Sequence, residues 1–123
     1  MTAEWRRIRG ILDELINNAF EAGATSVRSD IEDEGNRFTV RVRDNGRGMS
    51  PEIRERANKL LSEPRRRELE EYYGHLAGRT AKSSGLTIVG MMVDEHTLSS
   101  EEGRGTDITV VIRKESRRRK DGE

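Results

Sequence analysis

The sequence contains no cysteine, which excludes disulfide bonds, thiolate catalysis and cysteine-based metal sites. Its two histidines, His75 and His96, are too few and too far apart in the chain to suggest a metal cluster. Aromatic residues make up only 4% of the chain, so we expect a mostly aliphatic core. No apolar run has the length of a signal peptide or of a membrane span. These absences indicate a soluble, cytoplasmic domain.

The chain also lacks an excess of charge of either sign. Lysine plus arginine and aspartate plus glutamate each number 23, so there is no net field to attract nucleic acid. The basic run R-R-R-K at 117–120 is short, and we interpret it as part of a solvated tail rather than a nucleic-acid site. A length of 123 residues suits one domain. We predict a single domain over residues 1–113 and a charged, disordered tail over 114–123.

Hydrophobic periodicity predicts how the first half of the chain folds. Apolar positions recur with helical spacing over residues 4–22, and Gly23 supplies a helix stop. Alternating patterns then predict strands over 27–32 and 38–43, joined by a turn at 34–37. The outward faces of these strands carry opposite charges in excess, which suits an antiparallel pair. Such a pair has one dry face that another layer must cover.

The second half of the chain is predicted to be mainly helical before it returns to strands. Ser50 is a candidate N-cap, with Pro51 at the first helical position. The other predicted elements are an exposed helix at 65–71, a loop at 73–84, a buried helix at 85–95, and strands near 97–100 and over 108–112. This order predicts an α+β fold, a two-layer sandwich with helices on one face of an antiparallel-rich sheet.

The stretch D-N-G-R-G-M, residues 44–49, lies where a predicted strand gives way to a predicted helix. Asn-Gly is a strong hairpin signal, and an ordinary turn with an Asx motif explains such a stretch about as well as a binding site does. In the binding interpretation, Asp44 at the strand end accepts a hydrogen bond from an exocyclic amine. Gly46 and Gly48 then allow the backbone to approach a ligand closely.

Two polar residues of the first predicted helix, Glu14 and Asn18, are four positions apart and therefore share a helical face. A carboxylate can act as a general base, and an amide oxygen is a suitable ligand for Mg²⁺. Taken alone, the pair is more often simply a solvated face. Asn18 is adjacent on the helix to the apolar positions, which favours a role inside the fold.

A third polar group precedes the predicted buried helix. Lys82, Ser83, Ser84 and Gly85 stand at its N-terminus, where free amides and the helix dipole favour an anion. Simple N-capping by a serine is the more common explanation. Thr106 enters the last strand, where its hydroxyl could reach a ligand directly or through water, or could merely follow a hairpin turn.

Taken together and in this order, these stretches resemble the nucleotide-binding boxes of the GHKL superfamily. That superfamily comprises gyrase-type ATPases, heat-shock chaperones of the ninety-kilodalton class, histidine kinases and MutL mismatch-repair ATPases. The stretch E-L-I-N-N-A-F-E-A-G-A-T resembles the N box, D-N-G-R-G-M the first glycine box, S-S-G-L-T-I-V-G-M-M-V the second glycine box, and G-T-D-I-T-V-V-I the closing Gly-Thr strand. The resemblance covers roughly residues 8–113.

The resemblance implies the Bergerat fold, a mixed, largely antiparallel sheet with helices on one face and ATP between the layers. It also implies roles at the base end of the ligand. Asp44 would accept a hydrogen bond from the adenine amino group, and Thr106 would support the base through water. Gly46 and Gly48 would leave room for the base and a lid, and Met49 would pack near the adenine.

At the phosphate end, the resemblance implies that Asn18 binds Mg²⁺ and that Glu14 orients and activates the attacking water. Residues 50–84 would form a lid. The resemblance implies that the C-terminal end of this lid contacts the nucleotide through Lys82, Ser83, Ser84, Gly85 and Leu86.

The implied function is an ATP- or ADP-binding, Mg²⁺-dependent domain that is a slow ATPase or a kinase acting on a partner protein. The alternative is a non-catalytic protein-interaction switch whose lid is ordered by nucleotide. The second box has A-K-S-S where the superfamily usually has a G-x-G run, and fewer glycines favour the switch. The Glu14–Asn18 pair favours retained chemistry.

Overall fold

The computed structural model describes residues 3–62 and 81–114, with side chains for all of these except 81–84. In chain order, the described helices and strands are α1 (Ala3–Glu21), β1 (Val27–Asp33), β2 (Arg37–Asp44), α2 (Pro51–Leu61), α3 (Ala81–Met92), β3 (Glu95–Glu101) and β4 (Gly105–Arg113). Across these two ranges, no helix is both long enough and apolar enough to cross a membrane.

The four described strands form one sheet in the order β1-β2-β4-β3, and each neighbouring pair is antiparallel. The two central strands, β2 and β4, are paired from Arg37 opposite Arg113 to Asp44 opposite Thr106. Because Asp44 at the end of β2 pairs with Thr106 near the start of β4, these polar residues lie together at one end of the sheet.

The core lies between the sheet and the three helices. Side chains at alternate positions of β2 and β4 face inward and pack on α1, α2 and α3, which confirms the predicted two-layer α+β sandwich. The largest fully buried side chains of the helices and the sheet are Ile8, Ile11, Val40, Val42, Val89, Val110 and Ile112. The core is aliphatic as expected, with Phe38 as its one aromatic member among the described residues.

Most of the predicted helix and strand boundaries agree with the structure. The first helix is followed by Gly23 at φ 77°, a left-handed conformation that ends a helix. Ser50 is the N-cap of α2, and its hydroxyl accepts a hydrogen bond from the amide of Ile53 at 3.2 Å. The strand ending at Asp44 therefore leads through a loop into a helix, as predicted from the serine and proline.

The predicted position of the buried helix is wrong at both ends. The helix spans Ala81–Met92 rather than 85–95 and so includes four residues that had been predicted as loop. It ends early because Asp94 is held by the sheet: its amide donates to the carbonyl of Val111 at 2.7 Å, and its carboxylate accepts from the amide of Arg113 at 2.7 Å. The predicted exposed helix at 65–71 lies outside the described residues, as does most of the tail.

The antiparallel pairing that opposite outward charges predicted for the first two strands is confirmed, and the arginines of β2 pair with acidic residues on both neighbouring strands. Arg43 of β2 approaches Asp30 of β1 at 4.0 Å, but Arg41 forms its ion pair with Asp107 of β4 at 2.6 Å. The partner on β4 could not be foreseen because the order of strands in the sheet does not follow from the periodicity of each strand.

Candidate functional site

A cavity of about 70 Å³ opens where the polar ends of β2 and β4 meet the helices. Most of its lining is apolar and comes from every layer of the fold, including Leu15, Val42, Leu61, Leu86, Leu98 and Ile108. Its polar side chains are Asn18, Asp44 and Thr106. An apolar pocket with a few convergent polar groups is the usual form of a small-molecule site.

Asp44 lies at the end of β2 directly opposite Thr106 of β4. One of its carboxylate oxygens, Oδ1, accepts a hydrogen bond from the amide of Gly46 at 2.7 Å. This contact fixes the orientation of the carboxylate and leaves the second oxygen, Oδ2, as a further acceptor.

The two glycines after Asp44 make room for the protein itself. A Cβ at Gly46 would lie 2.8 Å from the carbonyl oxygen of Ala22 and 2.9 Å from its Cβ. Gly48 has φ 73°, and a Cβ there would overlap the carbonyl oxygen of Glu101. Gly48 and the neighbouring Met49 line the cavity, whereas Gly46 is buried against the end of α1.

Asn45 explains why D-N-G does not form a hairpin. Its side-chain oxygen accepts hydrogen bonds from the amides of Thr25 and Ser26, both at 2.9 Å. Its side-chain nitrogen donates to the hydroxyl of Thr25 at 2.9 Å. Asn45 thus connects the end of β2 to the segment between α1 and β1, a role that the sequence interpretation missed. No local signal distinguishes it, because its partners are about twenty residues away.

The hydroxyl of Thr106 has a buried partner, Ser100 of β3, that was not predicted either. The two residues face each other across β3 and β4, and their side-chain oxygens are 2.9 Å apart. Ser100 also donates a hydrogen bond to the carbonyl of Gly105 at 3.0 Å. Ser100 occupies an inward position two residues after Leu98, so strand alternation could have identified it as a polar residue on the cavity side.

Glu14 and Asn18 share one face of α1 but differ in their positions relative to the cavity. Asn18 lines the cavity, whereas Glu14 lies one turn earlier on α1 and outside the cavity lining. One oxygen of Glu14 lies 2.5 Å from the position that a Cβ at Gly85 would occupy, so the absence of a side chain at Gly85 lets the carboxylate approach α3. Lys82, Ser83 and Ser84 belong to the first turn of α3, next to this contact.

None of the described ionisable groups whose pKa values are shifted lines the cavity. The hydrogen bonds from Arg41 hold the pKa of Asp107 below its usual range, and Asp107 in turn raises the pKa of Arg41. Burial lowers the pKa of His96, whose Nε2 is 3.0 Å from the side-chain oxygen of Asn58 on α2. Within residues 3–62 and 81–114, no group of three or more His, Cys, Asp or Glu side chains could hold a metal ion.

The sequence matches a known family of ATPases. The model of the histidine kinase-, DNA gyrase B- and HSP90-like ATPases aligns with residues 3–116, nearly the whole chain. The chain belongs to this ATPase family. The predicted superfamily is thereby confirmed.

Curated relatives of this ATPase-family domain include DNA mismatch repair proteins. MutL of Xanthomonas campestris pv. campestris (strain B100) is 48% identical over 46 residues, which are 37% of this chain and 7% of that protein. MutL of Trichlorobacter lovleyi is 50% identical over 46 residues, 37% of this chain and 8% of that protein. MutL of Anaeromyxobacter sp. (strain K) is 37% identical over 86 residues, 70% of this chain and 12% of that protein. The matches thus cover only a small part of each relative.

The ATPase-family domain brings most of the predicted binding residues together. Those that line the cavity described above are Asn18, Asp44, Gly48, Met49, Leu86 and Thr106. Gly46 supports Asp44 through its amide, and Glu14 and Gly85 are in contact beside the cavity. The side chains of Lys82, Ser83 and Ser84 lie outside the described part of the structure.

Proposed function

We propose that this domain binds an adenine nucleotide, with the base in the cavity and the phosphates directed toward Asn18 and the first turn of α3. The observation that carries the proposal is the position of Asp44 opposite Thr106 at the polar end of an otherwise apolar cavity. A flat aromatic base suits the apolar walls, and the free oxygen of Asp44 suits an exocyclic amino group.

The cavity is too small to enclose a whole nucleotide. Pockets that enclose a drug-sized ligand usually measure about 300–1,000 Å³, whereas this cavity measures about 70 Å³. The cavity therefore accounts for the part of the site that faces the base. The sugar and phosphates would extend beyond it, past Asn18.

The donor set fits Mg²⁺ carried by a nucleotide. Mg²⁺ is usually held by one or two protein ligands together with phosphate oxygens and waters. Asn18 offers one amide oxygen at the cavity, and the described residues contain no cluster that would hold the ion without a nucleotide. When bound, Mg²⁺ would offset the negative charge of the phosphates.

Glu14 is the candidate general base for a reaction at the terminal phosphate. Its carboxylate lies against Gly85 at the start of α3, the region assigned here to the phosphates. There it would orient and deprotonate an attacking nucleophile, which is water in a slow ATPase or a side chain of a partner protein in a kinase.

A second candidate function is a switch that binds nucleotide without chemistry. The observation in its favour is that Ala81 through Ser84 already form the first turn of α3. A segment fixed in a helix has less freedom to wrap around phosphates than the glycine-rich loop it replaces. In this function, nucleotide binding would act on the predicted lid, residues 50–84, of which 63–80 lie outside the described residues, and would thereby alter a protein-binding surface.

Thermal unfolding with and without Mg-ATP tests nucleotide binding. At a ligand concentration of about 100 times Kd, the domain should be stabilised by about 2.7 kcal/mol. Asp44→Ala should abolish this shift, because it removes the acceptor at the polar end of the cavity. Asp30→Ala, which removes an exposed carboxylate of β1, is the matched control and should keep the shift. The absence of any shift in the wild type at millimolar adenine nucleotide would contradict both candidate functions.

Phosphate release separates the two functions. Glu14→Gln should lower the rate by about 100-fold or more if Glu14 is a general base, while the thermal shift with ATP persists. Glu21→Gln, an exposed carboxylate at the end of the same helix, is the control and should leave the rate unchanged. Equal background rates for the wild type and Glu14→Gln, with no transfer to a partner protein, would favour the switch.

A further inference from the structure

Ser100 carries a buried hydroxyl group that has no role in the nucleotide binding proposed above. It is only 4% exposed and lies on the inner face of β3, behind Thr106 as seen from the cavity. Its oxygen is within hydrogen-bond distance of two groups, the carbonyl of Gly105 at 3.0 Å and the hydroxyl of Thr106 at 2.9 Å.

Counting protons determines the direction of both hydrogen bonds. A serine hydroxyl has one proton to donate, and a carbonyl oxygen can only accept. If both bonds are made, the proton of Ser100 must go to Gly105, and the proton of Thr106 must go to Ser100. The side-chain oxygen of Thr106 then has only lone pairs left to offer to the cavity.

Asp44, like Thr106, offers only hydrogen-bond acceptors to a ligand in the cavity. A carboxylate accepts hydrogen bonds only, and its Oδ1 already accepts from the amide of Gly46 at 2.7 Å. Asp44 and Thr106 are direct partners across β2 and β4 and both line the cavity. The two side chains at this end of the cavity therefore present acceptors to a ligand.

We propose that Ser100 is a positioning residue that holds Thr106 as a hydrogen-bond acceptor and so makes the site select a base with an amino group over one with a carbonyl group. This inference rests on the proposed nucleotide binding and adds a reason for a preference between bases. An amino group has two N–H donors, one for Asp44 and one for Thr106, directly or through water. A carbonyl oxygen at the same position would face acceptors and leave them unsatisfied, which is the stronger form of discrimination.

The test compares the dissociation constants of ADP and IDP, whose bases carry an amino group and a carbonyl group at the same position. The wild type should prefer ADP. In Ser100→Ala, Thr106 is free to turn and donate its proton, so the ADP preference should fall by about tenfold, the factor that corresponds to roughly one hydrogen bond. Ser99→Ala, the exposed neighbour on the outer face of β3, is the matched control and should keep the preference.

A double-mutant cycle excludes a purely structural role for Ser100. In the background of Thr106→Val, which has no hydroxyl, Ser100→Ala should change the ADP preference no further. Thr106→Ser keeps the hydroxyl, so in that background Ser100→Ala should again lower the ADP preference. Ser100→Cys preserves the approximate size of the side chain but weakens its hydrogen bonds, so it should shift the preference in the same direction if Ser100→Ala folds poorly.

The outcomes of this experiment are distinct. Failure of the wild type to bind either nucleotide contradicts the proposed function itself. Binding of ADP with an unchanged preference in Ser100→Ala contradicts only the role of Ser100. An equal effect of Ser100→Ala with and without the Thr106 hydroxyl also overturns that role, because Ser100 would then act by a route other than Thr106.

Discussion

The two central strands end very differently. At one end of β2 and β4, Phe38 and Ile112 are cross-strand partners, and both are buried. At the other end, the partners are Asp44 and Thr106, which are half-buried and line the cavity. We call the first the closed end and the second the site end. The same pair of strands therefore passes from tight apolar packing to a polar cavity wall over seven residues.

The contacts around each end explain the difference. At the closed end, the ring of Trp5 lies 5.6 Å from that of Phe38, and the ammonium group of Lys114 lies 4.7 Å from the centre of the Phe38 ring. At the site end, the loop after Asp44 is held by hydrogen bonds such as the 2.7 Å bond from the amide of Gly103 to the carbonyl of Arg47. Apolar side chains fill the closed end, whereas hydrogen bonds of the backbone and of the Asn45 side chain hold the site end and leave a cavity. Stability and binding should therefore respond to different substitutions.

Ile112→Ala should have the largest effect on stability. Ile112 is fully buried at the closed end, and such a truncation costs about 2–5 kcal/mol through lost burial and the cavity left behind. Urea unfolding would measure the loss, and the ADP preference of the folded protein should be unchanged. Val111→Ala, the neighbour on the outer face of β4, is the control and should cost less. Loss of the ADP preference in folded Ile112→Ala would mean that the two ends are not independent.

Gly48→Ala should have the next largest effect, at the site end. A left-handed φ costs a non-glycine residue about 1–2 kcal/mol, and the added Cβ would also overlap the carbonyl of Glu101. Gly35→Ala is the matched control, since Gly35 also has a left-handed φ of 96° but no described atom lies within 4 Å of an added Cβ.

The difference between the two glycine variants isolates the overlap at Gly48. We expect Gly48→Ala to unfold at lower urea than Gly35→Ala and to bind ADP more weakly, because Gly48 lines the cavity. Equal stability and equal binding in the two variants would show that the loop moves without cost, contrary to a site end held by backbone contacts.

Asn45→Ala should have an intermediate effect. The substitution removes three hydrogen bonds that connect the site end to Thr25 and Ser26, and we expect a loss of about 1–2 kcal/mol because the contacts are exposed. Amide hydrogen exchange at Thr25 and Ser26 should accelerate. Asn36→Ala, in the turn between β1 and β2, is the control and should leave those amides protected.

Local patterns predicted the secondary structure, and the resemblance to the superfamily supplied the predicted residues of the cavity lining. Helical spacing in α1, the Ser50–Pro51 cap and strand alternation are all encoded within a few residues, so they could be read from the chain. Asp44 and Thr106 stand near glycines at the ends of predicted strands, and the resemblance to the superfamily then implied that they contact the base. The roles of Asn45 and Ser100 were missed because each depends on a partner brought near by strand pairing.

The start of α3 shows the same limit in a longer element. Ala81 through Ser84 end a stretch rich in glycine and serine, so they were predicted as loop, although the structure has them in the first turn of the helix. Helix ends are weakly determined by local sequence when neighbouring elements pack against them. Here the contact between Glu14 and Gly85 is such a tertiary influence, and it lies 71 positions apart in the chain.

Lys114→Ala should have the smallest measurable effect on stability. Together with Arg104→Ala, it compares an ion pair at the closed end with an ion pair at the site end. At the closed end, Lys114 pairs with Asp33 at 2.7 Å and lies over Phe38, with only 17% of its side chain exposed. At the site end, Arg104 pairs with Glu101 at 3.5 Å, with 81% of its side chain exposed.

We expect Lys114→Ala to cost about 1 kcal/mol, since a partly shielded ion pair adds to a cation–π contact. Arg104→Ala should cause no measurable loss, because exposed pairs are offset by side-chain entropy and screening. Urea unfolding at about 0.05 M and about 1 M salt would separate the contributions of Lys114, since salt screens the ion pair more than the stem packed on the ring. An equal loss in both variants would show that shielding by Phe38 does not stabilise the closed end, and the contrast between the two ends would then rest on apolar packing alone.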